Sequence, residues 1–329
     1  MKLEWWTTHA DLARGAARWD AGVEAAGGDN PFVLSTFLLA WSECFAAPGE
    51  LRVLVMERDG EIVAGWPLVR KRLRHASLGC WALRPLGLGF ANLNEPFYRM
   101  PAEEFAAAAA GALAARNDWD YASIPLAREP WWERQLGRRR AWRWLTRAQG
   151  AAARLPVDRP AAEYAGSLSP RMQANLRRGL RRAEELGGAR LERVTEGAAL
   201  EELIAFQLEH NGPLRYPPER EWGATRAQWA EFVRTLLPRL AAHGQLDPLA
   251  LRLGGELAAV GFGFRYGNGY KSMLTSFDPR FSPAAPGLLL IHFLSDWCRS
   301  QGDTWIDMYA EASHLDKRRW QPQTVALHH

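Results

Sequence analysis

Residues 249–309 constrain this chain's fold more than any other stretch. Two β-rich runs, 249–253 and 257–266, are joined by Gly254-Gly255, and Gly267-Asn268-Gly269 turns the chain into a third run, 270–277. Tight glycine turns between such runs make antiparallel hairpins. A loop holding Pro279, Pro283 and Pro286 then leads into a helix from Gly287 to about Arg299, and Gly302-Asp303 precedes the run 305–309. Three antiparallel strands followed by a strand, helix, strand crossover predict an α/β (α+β) fold. Its sheets are mixed, mostly antiparallel, and flanked by helices.

The N-terminal half repeats part of this pattern. Runs 51–57 and 62–69 flank Asp59-Gly60, and Asp59-Gly60-Glu61-Ile62-Val63-Ala64-Gly65 reads against Gly254-Gly255-Glu256-Leu257-Ala258-Ala259-Val260. Around the first hairpin the spacing of apolar residues predicts helices over 11–26, over 35–45 with Ser35 as N-cap, and over 102–115. A Gly-containing irregular stretch is expected at 83–96 and a strand at 121–124. Between Arg128 and Arg159 Trp, Arg and Pro crowd the sequence and periodicity fades. Two tandem domains follow, 1–156 and 157–329, with the junction near Pro156.

Ser169-Pro170 starts a helix with Ser as N-cap and Pro at the first helical position, and Gly187-Gly188 stops it. At 100° per residue Met172, Leu176, Leu180 and Ala183 share one arc, and Arg171, Arg177, Arg178, Arg181 and Arg182 share the opposite one. A strand over 189–194, a helix over 198–209, a Pro-rich loop over 213–218 and a helix over 225–242 fill the interval to the second hairpin. Arginine is the default cation throughout: among 41 basic residues the only lysines are Lys2, Lys71, Lys271 and Lys317, and the formal net charge is +4. Such a balance by itself names no partner.

Several classes are excluded by what the sequence lacks. No apolar run approaches the roughly 20 residues of a membrane-spanning helix. The polar start offers no secretory leader, and the 3 cysteines, Cys44, Cys80 and Cys298, are odd in number and widely spaced. A reducing, cytoplasmic location is the expectation. No His or Cys set has metal-ligand spacing and no Gly-x-Ser-x-Gly elbow is present, so neither a metal nor a serine nucleophile is expected.

Ser169-Pro170-Arg171 with its Arg-rich helix, Tyr270-Lys271, Phe277-Asp278, Pro286-Gly287-Leu288-Leu289, Asp307, Lys317 and Trp320 occur in an order and spacing that resemble the CelD-type branch of the GNAT acyltransferase superfamily, associated with cellulose and exopolysaccharide synthesis. The related Fem-type peptidyltransferases also pair two GNAT-like domains, and take their acyl group from aminoacyl-tRNA. The resemblance implies an N-acyltransferase using acetyl-CoA or another acyl-CoA, with a small-molecule or sugar amine as acceptor. The ordinary Gln/Arg-x-x-Gly-x-Gly/Ala pyrophosphate loop is missing, which keeps charged tRNA as an alternative donor. A third class, a non-catalytic module binding polysaccharide or protein, is kept by the 16 tryptophans.

Acyl transfer to an amine needs positioning, a proton acceptor, donors for the oxyanion and an anchor for the donor's phosphates. Asp307, flanked by Ile306 and Met308, faces away from both in a strand and is the candidate base. Its structural alternative is an ion pair with Lys271 or Lys317. Lys271 is a compact charge in an arginine-rich chain, or else a solvated strand lysine. His210 is a candidate acid or base, and Tyr309 a candidate proton donor to a departing thiolate. The loop-to-helix junction at Pro286, Gly287, Leu288 and Leu289 is the expected anion site. Arg177, Arg181, Glu209 and Lys317 are candidate substrate contacts.

Overall fold

The computed structural model describes residues 1–75, 78–87, 90–91, 93–125, 127, 148–194, 196–210, 225–311 and 319–328. Contacts divide the chain into two compact units, residues 1–150 with 326–329, and residues 151–325.

The first unit runs β1 (Lys2–Trp6), α1 (His9–Ala25), α2 (Ser35–Phe45), β2 (Leu51–Arg58), β3 (Glu61–His75), β4 (Leu78–Pro85), β5 (Phe97–Tyr98), α3 (Ala102–Ala114) and β6 (Tyr121–Ala122). Its sheet has the order β1-β2-β3-β4-β6, with β5 also on β3. The turn between β2 and β3 is the one the sequence predicts. Asp59 and Gly60 have φ of 53° and 85°, as a two-residue hairpin turn requires.

Two expectations fail here. Ser35 is not an N-cap. Its N–H and hydroxyl both donate to the Asp20 carboxylate, at 2.8 and 2.5 Å, and the cap position falls to Leu34, which makes no side-chain bond. The stretch taken as irregular from Leu83 begins as the end of β4, which pairs with β3 from Leu78 to Pro85.

The second unit runs β7 (Ala148–Pro156), α4 (Ala161–Ser167), α5 (Pro170–Glu185), β8 (Ala189–Arg193), α6 (Gly197–His210), α7 (Arg226–Ala242), β9 (Asp247–Leu253), β10 (Glu256–Tyr266), β11 (Gly269–Phe277), a 3-10 turn (Pro279–Ala284), α8 (Pro286–Ser300), β12 (Trp305–Glu311) and β13 (Gln323–His328). The sheet order is β13-β7-β12-β11-β10-β9-β8. Three elements escaped the sequence: β7, where a strand replaces the expected loss of regularity, α4, and β13. The tryptophans and arginines of 131–147 and the Pro-rich loop at 213–218 lie outside the described residues.

From β8 onward the second unit repeats the plan of the first. Strand, two helices, three antiparallel strands, crossover helix and parallel strand occur in both, and β8-β9-β10-β11-β12 matches β1-β2-β3-β4-β6. The α4–α5 pair precedes this plan and has no counterpart among the described residues of the first unit. Helix α5 buries Met172, Leu176, Gly179 and Ala183 and exposes Arg171, Arg177, Arg178, Arg181 and Arg182. Gly179 lets it approach the 3-10 turn: a Cβ there would sit 2.8 Å from the Ala284 carbonyl oxygen. The core lies mainly between the sheet and α8, where Tyr270, Leu155 and Ile306 meet Leu294 and Cys298. Each such fully buried large side chain contributes about 1.5–3 kcal/mol.

Candidate active site

The crossover sets the site. β11 and β12 are parallel and pair at Gly269↔Trp305, Tyr270↔Ile306 and Lys271↔Asp307; the register ends there although β11 continues to Phe277 and β12 to Glu311. The strands part beyond Lys271 and Asp307, leaving a notch whose closed end is that pair. On the far side of β12, Arg154 of β7 is in register with Asp307.

Alternation separates two faces. Ile306 and Met308 enter the core under α8, and Asp307 points the other way, as its flanking residues predict. β11 carries one extra residue at Met273, between Phe262↔Leu274 and Gly263↔Ser272. This bulge lets Lys271 and Ser276 face the same side, where α6 lies: the Ser276 hydroxyl donates to Oε1 of Gln207 at 3.0 Å.

Lys271 and Asp307 form an ion pair, Nζ to Oδ2 at 3.5 Å, with side chains only 1% and 6% exposed. Arg154 Nε stands 3.9 Å from the same Oδ2. Both cations lie against the ring of Trp305, at 5.4 and 4.4 Å from its centroid. Lys271 is therefore not a solvated strand lysine. Flanked by β10 and β12 it is 1% exposed, and a lysine so placed requires the carboxylate opposite it. Arg154 was not singled out from the sequence. Its signal is a lone charge in 151–156, between Ala153 and Leu155, which are both buried.

At the mouth of the notch Asp278 is buried and caps the 3-10 turn, accepting from Arg280 N at 2.8 Å and Arg280 Nε at 2.7 Å. Burial pushes its carboxyl up, but the two Arg280 bonds and then the charges of Arg280 and His210 hold it below its usual value. His210, at the end of α6, has its ring tilted against that of Phe206, with 4.2 Å between ring centroids. Glu209 acts weakly on Arg280. These two candidates thus belong to the mouth, and no described contact joins them to the Lys271–Asp307 pair.

Helix α8 starts from Ala285, which is left-handed (φ 52°) and gives no side-chain cap. Pro286 has no N–H, and the N–H groups of Leu288 and Leu289 both turn to the Ala285 carbonyl, at 2.9 and 3.1 Å. The Gly287 N–H has no carbonyl partner among the described residues. A Cβ on Gly287 would meet only the Phe277 ring, at 3.8 Å. Of the four residues expected to bind a donor, Pro286 and Leu289 are buried and Gly287 and Leu288 half-buried, and of these two only Gly287 keeps an N–H without a carbonyl partner among the described residues. Tyr309 lies in β12 two residues beyond Asp307, but its side chain is outside the described residues, as is all of Lys317. Arg177 and Arg181 are exposed on α5, where Arg181 Nε is 3.9 Å from Glu185.

A separate cluster lies just beyond the closed end of the notch, where β10 ends and β11 begins. Asp247 and Asp303 are buried there with Arg193 and Arg265 around them. Burial raises the Asp303 carboxyl against the pull of Arg265, and burial also raises the thiol of Cys298. Among the described residues no group of three or more His, Cys, Asp or Glu could hold a metal ion, and no helix is long and apolar enough to cross a membrane.

Residues 170–317 match the family model of the acetyltransferase (GNAT) domain. In fold the chain is similar to FemX, with a TM-score of 0.61 and 11% identity over 100% of this chain and 97% of that one. It is equally similar to a conserved protein of unknown function from Bacteroides thetaiotaomicron VPI-5482, with a TM-score of 0.61 and 11% identity over 99% and 98% of the two chains. L-PGS from Bacillus licheniformis follows at a TM-score of 0.54 and 16% identity over 95% and 90%. At these identities the likeness is one of fold. Among curated proteins none matches the sequence. The stretch 170–317 thus matches a GNAT-superfamily acetyltransferase domain, and the chain has a mixed α/β fold of two helix-flanked sheets.

Proposed function

We propose that residues 157–329 together with strand β7 form an acyl-CoA-dependent N-acyltransferase of the CelD-like branch, acting by direct attack of an amine on the thioester. The observation that carries this reading is the notch between β11 and β12, closed by a buried charged pair and opening toward the Gly287 N–H. From Lys271 to Asp278 the strand spans roughly 23 Å, room for an extended thioester arm between its phosphates and its acyl group.

In this reading the start of α8, half-buried at Gly287, takes the donor's phosphates, with the Gly287 N–H and the positive end of the helix facing them. The amine nitrogen attacks the acyl carbon, the C–S bond breaks, and the sulfur leaves as thiolate. Asp307 accepts the proton released by the amine, and Lys271 and Arg154 hold that carboxylate in place at the closed end. Tyr309 is kept as the proton donor to the thiolate, and His210 and Glu209 as acceptor contacts at the mouth. The acceptor is an amine of a small molecule or sugar.

Thermal melting with acetyl-CoA, longer acyl-CoAs, free CoA and charged tRNA tests the donor. A ligand at 100 times its Kd stabilises the folded state by about 2.7 kcal/mol, which in a domain of this size raises the Tm by several degrees. No shift with any acyl-CoA ends the reading.

A second reading, an aminoacyl-tRNA-dependent transferase, is favoured by one feature, the exposed arginine face of α5 on an element outside the repeated plan. Arg177→Glu with Arg181→Glu then weakens tRNA binding and flattens its salt dependence, because each lost phosphate contact reduces the slope. An acyl-CoA enzyme with a small acceptor binds no tRNA at physiological salt in either form.

A further inference from the structure

The first unit holds a charge cluster whose signs do not balance. Arg52 of β2, Arg70 of β3 and Arg116, just past α3, all reach one carboxylate, that of Asp118. Four of their nitrogens are directed at a single atom, Oδ2: Nη2 and Nε of Arg52 at 2.5 and 2.8 Å, Nη2 of Arg116 at 3.0 Å and Nη1 of Arg70 at 3.5 Å. A carboxylate oxygen offers about two lone-pair sites, so Arg70, the most distant, is served poorly. Three guanidinium groups against one carboxylate leave a net charge of +2. The neighbouring acids do not reduce it: Glu50 pairs with Lys71, and Asp120 accepts the Trp81 N–H at 2.7 Å and forms no ion pair with the three. Other partly buried arginine clusters among the described residues come nearer to balance. Arg252 meets Glu192 and Glu202, and Arg193 and Arg265 meet Asp247 and Asp303.

Nor do the three arginines depend on Asp118 alone for their places. Nη1 of Arg52 also donates to the carbonyls of Gly49 and Leu51, at 2.9 and 2.5 Å. The guanidinium of Arg70 lies 4.0 Å from the ring centroid of Trp81, and that of Arg116 lies 5.2 Å from the ring centroid of Trp5. An indole face attracts a guanidinium and fixes its plane, so both charges are already in position before a further anion arrives. Arg52 is buried, whereas the side chains of Arg70 and Arg116 are 21% and 26% exposed and can be reached from solvent. Arg116 grips Asp118 through Nε and Nη2, and Arg70 through Nη1, which also donates to the Asp118 carbonyl at 3.1 Å. Nη1 of Arg116 and Nη2 of Arg70 take no part in these bonds.

We propose that the Arg70–Arg116 side of this cluster binds a phosphate group, free or as the monoester of a small molecule. A dianion neutralises the surplus charge, where a single carboxylate would leave half of it. Planar guanidinium donors match phosphate oxygens as well as they match a carboxylate, and they stay charged at every working pH. The site belongs to the unit whose sheet carries no notch, and it stands whether or not the second unit transfers acyl groups.

Inorganic phosphate and methyl phosphate, titrated calorimetrically into the full chain at constant ionic strength with chloride as the balancing anion, test the site. At least one of them should bind the parent and raise its Tm where chloride does not, because screening follows ionic strength and not the identity of the anion. Equal binding of the two marks a site for the free ion, and tighter binding of the ester marks a site for a phosphorylated small molecule. Arg70→Met should weaken binding by about tenfold or more, the worth of one charge-assisted hydrogen bond. Its ligand-free Tm should stay near the parent's, because Asp118 keeps Arg52 and Arg116. Gly287→Glu, which blocks the helix start assigned to the donor's phosphates, should bind as the parent does; loss of binding there places the phosphate at α8 and overturns the proposal. A parent without anion-specific binding overturns it too, as does an Arg70→Met protein that keeps the parent's affinity. Should Arg70→Met fail to fold, Arg116→Met decides by the same titration: weakened binding supports the site and parental affinity ends it.

Discussion

The two units are built on one plan and end it differently. In the first, β4 and β6 pair at Ala82↔Tyr121 and Leu83↔Ala122, and β6 stops there. Leu83 packs into the core with Phe105, Ala109 and Leu113 of α3. Just beyond, Asn94 Nδ2 donates to the Pro125 carbonyl at 2.8 Å and Ser123 N to the Leu83 carbonyl at 2.9 Å, drawing the two segments together. In the second unit the same two strands end their pairing on Lys271 and Asp307 and continue apart. A parallel pair closed by leucine and alanine is a wall. Closed by a lysine and a carboxylate, with its strands running on, it is a place where something is meant to enter.

The charged groups of the first unit serve that wall. Arg52, Arg70 and Arg116 converge on Asp118, and Arg70 and Arg116 lie against the rings of Trp81 and Trp5. The cluster pins β2 and β3 to the segment before β6, and no described residue of it faces a notch.

The sharpest way to break the comparison is Asp307→Asn. If the second unit alone does chemistry, turnover per folded molecule should fall by about 100- to 10,000-fold, the usual contribution of a general base, with donor affinity nearly unchanged. Rates and melting measured on one preparation check it; an unstable variant with parental turnover makes Asp307 a structural partner of Lys271.

Asp118→Ala should do the reverse. It leaves buried Arg52 without its carboxylate and should cost about 3–5 kcal/mol, lowering the melting temperature while donor binding by the second unit persists. The pH dependence follows from the same cluster. The Arg116 bond, against the burial penalty and aided by Arg52, holds the Asp118 carboxyl well below the usual carboxylate range. A folded-state value below the unfolded one gives stability that is present above the ordinary carboxylate pKa, about 3.9, and is lost as pH falls further. The parent's Tm should therefore drop below about pH 4 more steeply than that of Asp118→Ala, as melting curves between pH 2 and 6 would show.

Gly287→Glu sharpens the contrast at the donor end. The site has room for the side chain, so the fold should hold, but a carboxylate at the Gly287 N–H should abolish the stabilisation by acyl-CoA, about 2.7 kcal/mol at 100 times Kd. Unchanged acyl-CoA binding removes this helix start from the site. The smallest effect should be common to both units. α1 and α7 each begin with a reciprocal cap, Thr8 with Asp11 and Thr225 with Gln228. Thr8→Ala and Thr225→Ala should each cost about 1 kcal/mol, read from urea midpoints, with no effect on donor binding.

Much of the fold was legible because glycine and proline punctuate it. The Asp59-Gly60 and Gly254-Gly255 turns, the Ser169-Pro170 helix start and the Pro286 helix start all lie where local chemistry dictates. β4, β7 and β13 were not, because their residues become strands only through partners elsewhere in the chain: Arg154 is next to Asp307 in the sheet and far from it in sequence. The orientation of Asp307 could be read from alternation alone. The burial of Lys271 could not, since the strands on either side of it, β10 and β12, are not visible in the residues that flank it.

The pairing of β7 with β12 also sets the order in which the molecule can form. Every strand of the first unit's β1-to-β6 path is present once Ala122 has been made, so a chain emerging from its N-terminus can close that sheet early. β7 follows almost at once, yet its neighbour β12 comes only after α4 to α8 and four strands have been synthesised. Non-local pairing of this kind is slow, and it leaves strand edges exposed while it waits. The sheet of the second unit is thus completed late, only after the strand bearing Asp307 has slotted between β7 and β11 and β13 has joined the outer edge of β7.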